Sequence, residues 1–139
     1  MRLRTSYRYP LYAAFATLLL TGVGWLVSDW KKDVAGDEIW QQIAANMLMV
    51  HGGTAMLALL LLGALVPLHI QRSWRSGNNL VSGSVMVAFN AVLIVTAFGL
   101  YYLGSEAVRP FMSWMHLGTG FSLALLLPLH IWLGRRARR

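Results

Sequence analysis

Four histidines carry the clearest chemical signal in this chain. His51 opens the stretch His51-Gly52-Gly53-Thr54, and His69 closes it in Pro67-Leu68-His69-Ile70. The pattern recurs with His116-Leu117-Gly118-Thr119 and Pro128-Leu129-His130-Ile131. At about 1.5 Å and 100° per residue, the step from His116 to His130 rises roughly 21 Å and returns to within about 40° of the same helix face. The step from His51 to His69 is about five full turns and roughly 27 Å. Each pair shares a face near opposite ends of a membrane-length segment, and this duplicated frame takes up every histidine in the sequence. Imidazole is a haem ligand, and two helices that present histidines at matching heights can grip a planar macrocycle from both flanks. The expectation is two non-covalent b-type haems, one ligated by His51 and His116, the other by His69 and His130.

Rival chemistries are weaker. A histidine inside a membrane span is costly, yet it also serves as an interhelical hydrogen-bonding group. Two matched pairs are hard to obtain from four unrelated contacts. Zinc or copper would need histidines closer than about 21 Å, with further ligands that the apolar stretches lack. A haem ligand binds through Nε2 and needs a partner for Nδ1–H to fix its tautomer. The expected partner is the carbonyl one turn back, of Met47, Leu65, Met112 or Leu126. Pro67 and Pro128 stand two residues before His69 and His130. They free the carbonyls of Gly63 and Ala124 and allow a bend that would aim the ligands.

The elements that must position these residues follow from composition. Of 139 residues, 57% are hydrophobic and 12% charged, half the charged share of an ordinary soluble domain. Uncharged runs over about 10–27, 43–70, 80–103 and 111–134 each reach the roughly 18 residues that a spanning helix needs. The fold class expected is an all-α membrane protein, a single four-transmembrane-helix up-down bundle over 1–139 with short loops. The absence of cysteine excludes disulfides, thiolate metal sites and covalent haem attachment. The net charge of +7 does not signal nucleic acid. Arg2, Arg4, Arg8, Arg72, Arg75, Arg135, Arg136, Arg138 and Arg139 fall on one side of the spans, with Lys31, Lys32 and Arg109 on the other. By the positive-inside rule, both termini and the central loop are expected to be cytoplasmic; the location expected is a bacterial inner membrane, as a multi-pass protein. The first apolar run also has the layout of a secretory signal, but no small-x-small cleavage site follows it.

The connections add partners. Residues 28–42 hold four of the five acids, with Trp30 and Trp40, and read as a solvated connector or an outer docking edge for a periplasmic redox partner. Residues 71–79 read as a plain cytoplasmic turn. Arg72, Arg75, Arg135 and Arg136 are placed to pair with inner haem propionates, and Lys31, Lys32 and Arg109 with outer ones. Topology and lipid headgroups explain the same charges. A quinone would need an apolar slot with a hydrogen-bonding group. Asn46, Asn90, Asp29, Glu106, Tyr101 and Tyr102 are candidates, with Asn90 expected to bond a neighbouring helix. Thr54 and Thr119, three residues beyond the outer histidines, would bond a carbonyl of their own helix or a propionate.

In its spans and histidine pairs the chain resembles the haem-binding bundle of cytochrome b in the bc complexes. It is equally similar to small cytochrome b subunits that link quinone to periplasmic dehydrogenases, reductases or multihaem cytochromes. In the former family, histidines about fourteen residues apart on the second and fourth helices hold the haems; His116 and His130 match that spacing, and His51 and His69 depart from it by one turn. The resemblance implies glycines against the haem edges, here Gly83 and Gly99 with Gly22 or Gly24. It implies electron transfer across the bilayer between quinone/quinol and a periplasmic partner such as a c-type cytochrome or a dehydrogenase or reductase subunit. The alternatives are a self-sufficient di-haem oxidoreductase acting on superoxide or metal, and a non-redox assembly protein.

Overall fold

The computed structural model describes residues 5–77 and 80–136. Among these residues there is no strand. The elements in order are α1 (Thr5–Ala35), α2 (Glu38–Leu65), a π-helical turn (Val66–Ile70), α3 (Gln71–Ser76), α4 (Leu80–Tyr102) and α5 (Arg109–Arg136). Four stretches are long and apolar enough to cross a membrane: Thr5–Val34, Glu38–Arg75, Leu80–Tyr102 and Arg109–Arg136. Helix is the form such stretches must take, because hydrocarbon offers no partner to an open N–H or C=O. Arg2, Arg4, Arg138 and Arg139, read above as topology signals, and Asn78 and Asn79, read as turn formers, lie outside the described residues.

Three of the four spanning helices extend past the uncharged runs, and α4 keeps within its own. Residues 28–42 are helical on both sides of a two-residue reversal, where the sequence suggests a longer connector. Gly36 ends α1 with φ of 63°, and its N–H reaches the Lys32 carbonyl at 3.0 Å. That left-handed conformation is cheap for glycine. Asp37 then caps α2, its carboxylate accepting from the Ile39 N–H at 3.1 Å. Cap chemistry outweighs polarity here, and the acids lie on helix ends. The Lys31 ammonium sits 4.3 Å from the Trp40 ring, tying α1 to α2 beside the reversal. The 71–79 connection is likewise helical as far as Ser76 and turns at Gly77, φ 69°.

The chain forms two compact units, Met1–His69 and Ile70–Arg139. In the first, α1 packs on α2; in the second, α4 packs on α5. Both are antiparallel hairpins, since each pairs late residues of its first helix with early residues of its second. Among the described residues few side chains are buried, the apolar ones being Leu11, Ala14, Ala44, Ala58, Leu65 and Leu123. Meanwhile Leu60, Val81 and Leu125 are 75, 81 and 78% exposed. A surface with large apolar side chains this open is suited to lipid rather than water.

The Pro67 and Pro128 frames fold differently. Pro128 lies within the unbroken helix α5, whereas Pro67 is the second residue of the π turn. The residue four before Pro67 is Gly63, which weakens the helix, while Pro128 follows Ala124-Leu125-Leu126-Leu127, all strong helix formers. The carbonyl that Pro67 cannot use is taken by the Val66 N–H. Backbone yields where glycine and proline coincide.

Candidate functional site

The first hairpin builds its site from three turns of α1 and α2. Thr21, 8% exposed, stands on α1 with its Oγ1 2.7 Å from the Thr17 carbonyl and 3.2 Å from that of Leu18. The same oxygen lies 3.0 Å from Nδ1 of His51 on α2. Gly22 follows, and a Cβ there would meet His51 Cε1 at 3.5 Å and Nδ1 at 3.8 Å, so the imidazole packs beside the α1 backbone. About one turn past Thr21, a Cβ on Gly24 would meet Met47 Sδ at 2.9 Å.

The second hairpin repeats this construction. Thr96, 4% exposed, stands on α4 with Oγ1 2.7 Å from the Val92 carbonyl and 3.2 Å from that of Leu93. It lies 2.9 Å from Nδ1 of His116 on α5. A Cβ on Gly99 would meet Met112 Sδ at 3.2 Å and Cγ at 3.3 Å. In both hairpins, a threonine three residues before a glycine on the first helix meets a histidine four residues after a methionine on the second. Antiparallel helices bring these pairs together because one turn forward on one strand of the hairpin is one turn back on the other.

His130, a half-buried residue nearer the end of α5, is met from α4 by Ser82, with Oγ 3.1 Å from Nδ1. Beside them an apolar cavity of about 480 Å³ is lined by Leu80, Val81, Ser82, Leu126, Leu129 and His130, among others. His69 sits half-buried in the π turn. A π turn carries one more residue per turn than an α turn, so it rises less and rotates less per residue. The face and height of His69 therefore differ from those of an ideal helix eighteen residues after His51.

The histidine orienters are the main residues that sequence reasoning missed. At Nδ1 of His51, His116 and His130 the structure supplies hydroxyls from the preceding helix, where carbonyls of the ligand's own helix were expected. The signal existed as Thr-x-x-Gly in spans one and three against Met-x-x-x-His in spans two and four, legible only once the hairpins are paired.

Other expected residues are placed as follows. Arg72 on α3 and Arg135 in the last turn of α5 are exposed, as is Arg75. Arg136 lies over the Trp132 ring at 5.0 Å. Gly99 is buried against Met112, so it serves the packing of α4 on α5. Gly83 has nothing within 4 Å of where a Cβ would stand. Asn90 donates to the Met86 carbonyl of its own helix at 2.8 Å, rather than to a neighbouring helix. Asp29 accepts from Lys32 at 2.8 Å, and Asn46 from Gln42 at 3.3 Å. Tyr102 packs on Phe98 with ring centroids 4.6 Å apart, and Tyr101 and Tyr102 are both exposed. Among the described residues, no group of three or more His, Cys, Asp or Glu is arranged to hold a metal ion. No family model, no curated protein and no solved structure matches the chain.

Proposed function

We propose that the chain is a di-haem b-type membrane cytochrome that carries electrons across a bacterial inner membrane between quinone/quinol and a periplasmic redox partner, as one subunit of a larger oxidoreductase. His51 and His116 serve one haem, and His69 and His130 the other. Both termini face the cytoplasm, by the distribution of arginine and lysine. The observation that carries this reading is the repeated constellation: the two hairpins hold His51 and His116 with the same hydroxyl at the same ring nitrogen.

The residues fit the group. The donors are imidazoles on helices rich in apolar side chains, and the sequence has no cysteine to compete for iron. When bound, haem b supplies a one-electron couple, and ligation by two histidines favours electron transfer over oxygen activation because it leaves no open position. The protein's part is to orient and insulate. Thr21, Thr96 and Ser82 hold three imidazoles by Nδ1. Gly22 brings the backbone of α1 beside the His51 ring. The groove beside His130 offers mostly apolar walls. Arg72, Arg75, Arg135 and Arg136 supply positive charge for propionates near the inner surface.

The hydroxyl contacts also suit a non-redox assembly protein whose imidazoles only join helices. Colour separates the two. Purified in detergent, the electron carrier shows reducible Soret and α bands and a pyridine haemochrome count of two haem b per chain. A colourless chain that takes up no haem b would end the proposal.

A further inference from the structure

We propose that Thr21 and Thr96 are positioning residues that hold His51 and His116 in the Nδ1–H tautomer, leaving Nε2 as the nitrogen that carries the ligating lone pair. For its haem consequences the inference rests on the function proposed above; the tautomer itself does not depend on it.

The protons at each threonine can be counted. A threonine hydroxyl has one hydrogen, and each of these hydroxyls has three close neighbours. Two are helix carbonyls, at 2.7 and 3.2 Å in both hairpins, and carbonyl oxygens can only accept. The third is the histidine Nδ1, at 3.0 Å for Thr21 and 2.9 Å for Thr96. If the hydroxyl gave its hydrogen to Nδ1, two oxygen atoms would face each other at 2.7 Å with no hydrogen between them. At threonines more than nine-tenths buried, that repulsion has little water to relieve it. The arrangement without a clash has the hydroxyl donating to its own helix and Nδ1–H donating to the hydroxyl. Thr21 and Thr96 thus relay polarity from a helix carbonyl to the ring, and this raises the basicity of Nε2.

The test uses the full chain with ¹⁵N-labelled histidine in detergent, first without haem. The ¹⁵N shifts of His51 and His116 should report hydrogen on Nδ1, and Thr21→Val and Thr96→Val should each move the matching histidine toward the Nε2–H form. Thr→Ser should restore the wild-type pattern. After loading with haem b, each valine variant should retain its haem about 10-fold more weakly. Its midpoint potential should move positive, because a less basic imidazole favours the oxidised iron less, and serine should reverse the shift. Hydrogen on Nε2 in the wild-type chain would overturn the proposal, as would valine variants with unchanged tautomer. A chain with the Nδ1–H signature that binds no haem would defeat the functional reading and leave this one standing.

Discussion

The hairpin of α1 and α2 and the hairpin of α4 and α5 solve the same problem at one end and differ at the other. Around His51 and His116 they agree down to the hydroxyl, the glycine three residues on and the methionine four residues back. Around His69 and His130 they part: one histidine lies in a π turn, the other in regular helix with a serine at Nδ1. The shared end shows what a membrane hairpin needs in order to hold an imidazole. A buried hydroxyl must already be anchored to its own helix, and a small residue must let the second helix approach. The divergent end shows how little sequence it takes to change a backbone, since Pro-Leu-His-Ile is identical in both.

The largest expected effect is the loss of a ligand. His51→Ala and His116→Ala should each remove one haem by pyridine haemochrome count, and the two variants should be indistinguishable in spectrum. Different surviving spectra would mean that the shared constellation does not serve one shared group. Next come the prolines. Pro128→Ala should stabilise α5 by up to about 3 kcal/mol, because proline there interrupts an α ladder. Pro67→Ala should gain less, since the Val66 N–H already satisfies the Gly63 carbonyl. Thermal unfolding in detergent ranks the two, and the reverse order would contradict the account of the π turn. A third contrast separates two glycines of α4. Gly99→Leu should cost about 1–3 kcal/mol by overpacking against Met112, while Gly83→Ala should be tolerated. The smallest effect is at the reversal of the first hairpin. Asp37→Ala removes the cap on the Ile39 N–H and should cost about 1 kcal/mol, read from the same unfolding curves.

The spans were legible because a membrane imposes length and apolarity on each segment independently of its neighbours. The number of segments long enough to span and the rough positions of the three connections between them follow from that rule alone. Helix ends were not legible from charge: Gly36 and Asp37 decide where α1 stops and α2 starts, although Asp29, Lys31, Lys32 and Asp33 had suggested a loop earlier. The histidines stood out because an ionisable group in a span is rare. Their orienters did not, because Thr21, Thr96 and Ser82 are ordinary residues that acquire meaning only from a partner on another helix. Asn90 misled for the opposite reason: a mid-span amide suggests a neighbour, yet a helix carbonyl one turn back was within reach. The difference between the proline frames was hidden as well, since it depends on Gly63, outside the repeated motif.

The wide turn at Val66–Ile70 has a consequence for how this chain can vary. A helix takes up an extra amino acid by opening one turn, and it can close that turn again when the amino acid is deleted. At this joint, indels are absorbed locally and the segment downstream keeps its registry. In α5, which lacks such a joint, a single deletion between His116 and His130 would rotate everything beyond it by about 100°.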